Sequence, residues 1–116
     1  MTAEVIVLFE KNLNIGYLLD FYGEILSERK RTVLEFYYND DLSLAEIAEE
    51  ISISRQGVRD SIKKGEDELL FLEDKLGLAA RFRKYGESAA RIRSIAEKEP
   101  LSSELKNEII RLSELV

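Results

Sequence analysis

The segment from Leu42 to Leu69 constrains the fold more than any other part of this chain. It reads LSLAEIAEEISISRQGVRDSIKKGEDEL, in which two helical patterns of apolar residues are separated by a short break. Ser43 and Glu46 have the spacing of a capping box, and Ser54 can cap the second pattern. Two helices joined this closely pack at an angle to each other. The segment therefore predicts a helix-turn-helix.

The apolar residues of this motif predict how its helices pack. Four of them recur at the spacing of a helix face, and a fifth lies in the connection: Ile47, Ile51, Val58, Ile62 and Ile53. Ser52 stands where many such motifs have a glycine in the left-handed conformation, which serine adopts less easily. Gly57, inside the second helix, costs about 1 kcal/mol relative to alanine. These two positions depart from the usual pattern.

The rest of the chain also has helical spacing, with Pro100 as its one proline. We expect an all-α protein with additional helices before and after the motif. These cover a first apolar region from Glu4 to Leu26 with a break at Asn14–Gly16, a helix from Ser27 through Tyr37, one from Leu78 to Glu97, and one from Ser102 or Ser103 onward. The predicted domains are residues 1–78 and a helical extension, 79–116, packed on the same domain or in a dimer interface.

The composition excludes several classes of function. The 116 residues contain no cysteine and no histidine, which removes disulfides, thiolate metal sites and the commonest acid–base catalyst. The sequence also has no Walker-type phosphate loop. We therefore expect a protein that is not an enzyme and has no metal or cofactor. The apolar run Val5–Phe9 is too short for a signal peptide or a membrane span, so we expect a cytoplasmic location.

Basic residues follow the break of the motif, where a helix-turn-helix presents its second helix to a groove. The candidate nucleic-acid-binding residues are Ser54, Arg55, Gln56, Arg59, Lys63 and Lys64, together with Arg29 and Arg31 near the start of the helix that begins at Ser27, before the motif. A secondary basic surface is predicted at Arg81, Arg83, Lys84, Arg91 and Arg93.

The net charge of −6 opposes this interpretation, because it repels phosphate at long range. Residues 27–76, which include the motif, contain eight basic and thirteen acidic residues. Acidic residues follow the basic stripe at Glu66, Asp67 and Glu68. The stripe is thus either a nucleic-acid-binding face or an ordinary solvated helix face.

Apolar residues continue at heptad spacing beyond the motif. They are Val58, Ile62, Leu69, Leu72 and Leu76 with a gap at Gly65, then Phe82, Tyr85, Ala89, Ile92 and Ala96, and finally Leu105, Ile109, Leu112 and Val116. These stripes either pack against one another within one chain or form the interface of a homodimer.

Residues Leu26 to Leu69, LSERKRTVLEFYYNDDLSLAEIAEEISISRQGVRDSIKKGEDEL, resemble the helix-turn-helix of sigma-factor region 4, a winged-helix-like class here without a clear wing. They resemble more closely the YlxM family, small bacterial helix-turn-helix proteins linked to the signal recognition particle (SRP). The flanking phrases LLDFYGEILSERKR and LLFLEDKLGL extend this similarity over about Leu18 to Leu78. The resemblance implies a regulatory or accessory role near the GTPase and the RNA of the particle, and it implies nothing about the residues after about Ala79.

Three hypotheses follow from these observations. The favoured one is a regulatory binding module of the SRP pathway that contacts SRP RNA or the SRP GTPase. The second is a DNA-binding transcriptional regulator that reads DNA as sigma-factor region 4 does. The third is a structural dimerisation module without nucleic-acid binding.

Overall fold

The computed structural model describes residues 13–116, which form six α-helices and one short 3-10 helix, with no strand in this range. The helices are α1 (Leu13–Tyr22), the 3-10 helix (Gly23–Ile25), α2 (Glu28–Tyr38), α3 (Leu44–Ile51), α4 (Arg55–Leu76), α5 (Leu78–Ala96) and α6 (Ser103–Glu114). The all-α prediction is confirmed. The predicted apolar run 5–9 lies outside the described residues, and the break predicted at Asn14–Gly16 is wrong, because these residues belong to the first turn of α1.

Serine side chains begin four of these helices, as the sequence predicts. The Ser43 hydroxyl accepts a hydrogen bond from the Glu46 N–H, while the Glu46 carboxylate accepts one from the Ser43 N–H, both at 3.1 Å. This reciprocal pair is a complete capping box. The hydroxyls of Ser27, Ser54 and Ser102 each accept a hydrogen bond from the backbone N–H of the residue three positions further along the chain. The boundaries of the helix-turn-helix are therefore fixed by local chemistry.

The chain divides into two compact units, of which the first contains α1 to α4 and the second contains α5 and α6. Gly77, at φ +61°, ends α4 in the left-handed conformation, and the second unit begins with this residue. No helix within residues 13–116 is long and apolar enough to cross a membrane.

The long helix α4 organises the core of the first unit, since α1, α2 and α3 each pack against it. The fully buried side chains come from all four helices and are Ile15, Leu18, Tyr22, Val33, Leu34, Ile47, Val58 and Leu69. Gly65, the gap in the predicted stripe, is buried beneath Leu34. A Cβ at Gly65 would lie 2.7 Å from Leu34 Cδ1, so the Leu34 side chain fills the gap that the glycine leaves.

Two polar contacts hold α1 and α2 to the C-terminal half of α4. The Tyr22 hydroxyl donates to Glu73 Oε1 at 2.6 Å, and Lys30 Nζ lies 2.8 Å from Glu68 Oε2. Both contacts are partly buried, where hydrogen bonds to charged groups contribute more than at the open surface. The orientation of α4 is therefore set at both ends, by apolar packing at its start and by these contacts further along.

The turn of the motif carries backbone strain at Ser52. This residue ends α3 with φ 58° and ψ 44°, the left-handed conformation in which serine is less favourable than glycine. We expect Ser52→Gly to raise the free energy of unfolding by roughly 0.5–1 kcal/mol, after the greater entropy of glycine in the unfolded chain is subtracted. Urea denaturation would measure the change. Ser52→Ala serves as the control and should give no gain, and a Ser52→Gly protein less stable than both others would contradict the prediction.

Candidate nucleic-acid interface

The N-terminus of α4 is positioned by apolar contacts on its other side. Ile47 on α3 and Val58 on α4 are fully buried, and Ile62 is nearly so. Because these residues hold α3 against the first turns of α4, the opposite side of those turns is left exposed. Ser54, at its start, is exposed, and its hydroxyl accepts the Gly57 N–H at 3.0 Å. The first turns of α4 are therefore held in place on one side and exposed on the other, as a helix-turn-helix requires.

Gly57 contributes to the same helix end. A Cβ at this position would lie 3.3 Å from Ser54 Oγ and 3.4 Å from Ile53 Cδ1. Such distances are tight, so a larger residue would press on the cap and on the side chain that fills the angle between α3 and α4. The glycine thus keeps the start of α4 closely packed on the turn, at the helix-propensity cost expected from sequence.

The predicted basic stripe is exposed along the first turns of α4, and its members differ in their contacts. Arg55, Arg59 and Lys63 are exposed, but Lys63 Nζ lies 3.1 Å from Asp67 Oδ1. Neither arginine forms an ion pair within residues 13–116. Lys64 is also exposed, yet nine residues of helix place it about 180° around α4 from Arg55. The two arginines are therefore the part of the stripe that can form new phosphate contacts without breaking an ion pair.

Gln56 lies beside the arginines, and its side chain already has a partner. Its Nε2 donates to Asp60 Oδ1 at 2.9 Å, one helical turn further on. The amide keeps hydrogen-bonding capacity beyond this contact. Asp60 is the acidic residue within the first two turns of α4, and this hydrogen bond occupies one of its oxygens.

The acidic residues that follow the stripe are engaged in separate contacts. Asp67 pairs with Lys63, while Glu68 pairs with Lys30 on α2. Glu66 is half-buried and accepts a hydrogen bond from the Tyr38 hydroxyl. The three carboxylates, adjacent in sequence, thus face three different partners. They repel phosphate near the stripe less than the sequence suggested, because Glu66 is half-buried and the charge of Glu68 is balanced by Lys30 of α2.

Glu66 provides a test of this arrangement through its pKa. Burial raises the pKa of its carboxyl above the ordinary value, and Asp67 raises it further, whereas the hydrogen bond from Tyr38 and the charge of Lys63 act to lower it. A pKa raised in the folded state favours folding at low pH, and this contribution is lost as the pH rises through the raised pKa. We expect Glu66→Gln to stabilise the protein at neutral pH but not near pH 4, where the carboxyl is largely protonated. Urea denaturation at both pH values would measure this, with the exposed Glu50→Gln as control, and an equal effect at the two pH values would contradict it.

The three basic residues at the start of α2 differ in their exposure and in their ion pairs. Arg29 is exposed, but Lys30 is half-buried in its pair with Glu68. Arg31 Nε lies 3.1 Å from Glu35 Oε1, one turn along the same helix. Sequence reasoning missed that Lys30 is structural, because its partner is 38 residues away along the chain. Arg29 is the residue of this cluster most available for a phosphate.

The secondary basic surface lies in the second unit and is also divided. Arg93 is half-buried, and its Nη1 donates to Ser113 Oγ at 3.3 Å on α6. Arg91 is exposed and donates to Ser88 Oγ at 3.2 Å. The remaining three residues, Arg81, Arg83 and Lys84, are exposed. The five therefore do not act as one patch, since Arg93 takes part in the pairing of α5 with α6.

The exposed side of α3 carries acidic residues beside the recognition region. Glu46, Glu49 and Glu50 are all exposed. In complexes of helix-turn-helix proteins with DNA, the first helix of the motif crosses the phosphate backbone. Three carboxylates at that place repel the backbone of a duplex docked in this way. Within residues 13–116, acidic side chains nowhere form a group of three arranged to hold a metal ion.

The sequence matches a known family over nearly its whole length. The sequence model of the family UPF0122, described as "Putative helix-turn-helix protein, YlxM / p13 like", matches residues 9–110. The chain belongs to this family. Its resemblance to YlxM and its helix-turn-helix, both predicted from sequence, are thereby confirmed.

Individual members of the UPF0122 family are similar over most of their length. A UPF0122 protein of Halalkalibacterium halodurans is 43% identical over 98 residues, which cover 84% of this chain and 90% of the relative. A UPF0122 protein of Bacillus thuringiensis is 39% identical over 109 residues, or 93% of this chain and 99% of the relative. A Bacillus mycoides member is 38% identical over the same length. Membership in this helix-turn-helix family supports a regulatory role in nucleic-acid binding.

Proposed function

We propose that this chain is a regulatory nucleic-acid-binding protein that makes its principal contacts through the first turns of α4. The observation that carries the proposal is the exposure of Arg55 and Arg59, without ion pairs in residues 13–116, on a helix end fixed by a capped turn. Ser54 and Gln56 flank the arginines and add hydrogen-bonding groups. A small cationic surface of this kind suits a compact target with a few well-placed phosphates.

The proposed pathway is that of the signal recognition particle, with SRP RNA or the SRP GTPase as the partner. This part of the proposal rests on the YlxM resemblance of residues 18–78. The charge distribution supports a structured RNA over general duplex binding, because a net charge of −6 removes most of the non-specific affinity on which DNA-binding proteins rely. The proposed role would be carried out in the cytoplasm and requires no catalysis by this chain.

A transcriptional regulator that reads DNA through α4 is the second candidate. The likeness of the motif to sigma-factor region 4 favours it. The exposed carboxylates of Glu46, Glu49 and Glu50 on α3 weigh against it, since they would lie near the phosphate backbone in the usual docking geometry. This candidate requires sequence-specific binding strong enough to offset that repulsion.

A homodimer is part of the proposal. Two copies would place two recognition helices on one particle, and paired contacts raise the overall affinity of weak binding surfaces. The third candidate is a scaffold that dimerises without binding nucleic acid. The absence of a nucleic-acid partner distinguishes it from the first two candidates.

One binding series tests these candidates. The purified protein would be titrated against SRP RNA, mixed genomic DNA fragments and the SRP GTPase, each at two salt concentrations. Saturable binding to the RNA that weakens with salt is expected. Preference for particular DNA fragments would favour the second candidate. Binding to the GTPase alone would show that the partner is a protein and not a nucleic acid. Binding to none of the three would favour the dimerisation scaffold.

A further inference from the structure

The second unit is a helical hairpin with very little buried apolar surface of its own. Residues of α5 and α6 meet around a small cavity of about 40 Å³ lined by Arg93, Ala96, Glu97, Lys106, Ile109 and Ile110. On the side of α5 that faces α6, Ala89 and Ala96 are buried. Helix α6 has no buried residue at all. The two helices meet through alanines of α5 and through Ile109 and Ile110 of α6, and other large apolar side chains remain exposed.

Those larger side chains are exposed on both helices. Apart from Leu78 and Phe82 near the start of α5, they are Tyr85, Ile92 and Ile95 on α5, Leu105 and Leu112 on α6, and Leu115 directly after α6. The exposed fractions of these six range from 46% to 69%. At about 100° per residue, each set of three lies to one side of the residues that contact the other helix. Because the helices are antiparallel and both right-handed, the two sets fall on the same face of the hairpin. We name these six residues the hairpin face.

Charged residues border the hairpin face with opposite signs on its two edges. Lys84 and Arg91 lie seven residues apart along the outer edge of α5. Glu104 and Glu108 lie along the outer edge of α6, where Arg111 Nη2 pairs with Glu108 Oε2 at 3.2 Å. Glu87 lies one helical turn from both Lys84 and Arg91, so the α5 edge has a net positive charge of one. The α6 edge has a net negative charge even with Arg111 counted.

This charge pattern is self-complementary under one kind of two-fold rotation. A two-fold axis parallel to the helices places α5 of one copy over α6 of the other, so that each basic edge meets an acidic edge. An axis across the helices would instead stack α5 on α5 and bring like charges together. The six apolar residues meet in the centre in both cases. Charge therefore selects the first arrangement.

We infer that a second copy of this chain covers the hairpin face, with α5 of each copy packed against α6 of its partner in a four-helix arrangement. The inference rests on the proposed homodimer and names the surface that forms it. A dimer of this kind explains why the hairpin lacks a core of its own, since the apolar residues of two hairpins together would form a shared core. The hairpin face contains residues of the second unit only.

The test is a pair of charge reversals followed in analytical ultracentrifugation. Lys84→Glu/Arg91→Glu makes both edges acidic, and Glu104→Lys/Glu108→Lys makes both edges basic. Each variant alone should dimerise at least about tenfold more weakly than the native protein, because like charges then face each other. An equimolar mixture of the two variants should recover dimers of near-native affinity, since opposite edges meet again. Recovery in the mixture also shows that both variants are folded.

Further variants locate the interface and control for general charge effects. Ile92→Glu, in the centre of the hairpin face, should weaken the dimer by more than about 30-fold. Glu114→Lys, on the other side of α6, and Phe71→Glu, an exposed apolar residue of α4, should leave it unchanged. A native dimer that none of the hairpin variants weakens overturns the inference while leaving the homodimer standing. A native protein that is monomeric at high micromolar concentration overturns both, and nucleic-acid binding is judged separately by titration.

Discussion

Leu34→Ala is expected to lower the free energy of unfolding by about 2–5 kcal/mol, the largest stability effect we predict for this chain. Leu34 on α2 is fully buried, and its Cδ1 occupies the space beside Gly65 on α4. Removing the side chain opens a cavity between two helices that cannot close without moving α2, which the pair of Lys30 with Glu68 also holds. Urea denaturation followed by circular dichroism would measure the loss.

Gly65→Ala is the companion change, and the two together form a double-mutant cycle. In the native background the new Cβ lies 2.7 Å from Leu34 Cδ1, which is enclosed and has little room to move. The clash should cost about 1–3 kcal/mol and outweigh the gain of about 1 kcal/mol in helix propensity. In the Leu34→Ala background the clash disappears, so Gly65→Ala should become neutral or stabilising.

The cycle has an internal control in Gly16 of α1. A Cβ at Gly16 would meet nothing within 4 Å among residues 13–116, so Gly16→Ala should stabilise the protein by about 0.5–1 kcal/mol through helix propensity. If Gly65→Ala gave the same gain in the native background, the packing of Leu34 into the gap would be refuted. Equal effects of Gly65→Ala in both backgrounds would likewise show that the two residues are not coupled.

Arg55→Ala/Arg59→Ala is expected to weaken nucleic-acid binding by about tenfold to a hundredfold at moderate salt, with little change in stability. The two arginines are exposed and form no ion pair within residues 13–116, so their loss removes contacts to the partner and none to the described fold. If each contacts one phosphate, the slope of log affinity against log salt should fall by about 1.8 for a duplex. Fluorescence anisotropy over a salt series would give both quantities.

The matched control removes the same charge elsewhere. Lys75→Ala/Lys98→Ala also changes the net charge by two, but Lys75 lies at the far end of α4 and Lys98 follows α5. This variant should lose only the small long-range part of the affinity. If the two double variants lost affinity equally, the effect would be one of net charge, and α4 would not be the recognition surface.

The sequence predicted the elements of this fold well, because their boundaries depend on residues close together in the chain. The capping box of Ser43 and Glu46 and the cap at Ser54 are local contacts, and both are present in the structure. The break predicted at Asn14–Gly16 failed for a related reason. Gly16 lowers helix propensity locally, but neighbouring Ile15 and Leu18 are buried in the core, and this packing keeps α1 continuous.

The candidate site was less predictable than the fold. The sequence placed the basic residues at the start of the second helix of the motif, where a helix-turn-helix exposes them. It could not distinguish those that are available from those already paired, because side chains such as Lys30 and Glu66 find their partners on other helices. It also grouped Arg93 with a basic surface, although the structure turns it toward Ser113.

The sequence by itself determined the class of this protein, its helix-turn-helix and the family to which it belongs. These depend on helix periodicity, caps and phrases of neighbouring residues, all of which are read along the chain. Only the tertiary structure decided which charges remain for a partner and which apolar residues remain exposed. The ion pair of Lys30 with Glu68, the hydrogen bond from Arg93 to Ser113 and the uncovered face of α5 and α6 arise from residues that packing brings together. No local pattern in the sequence encodes the distances between them.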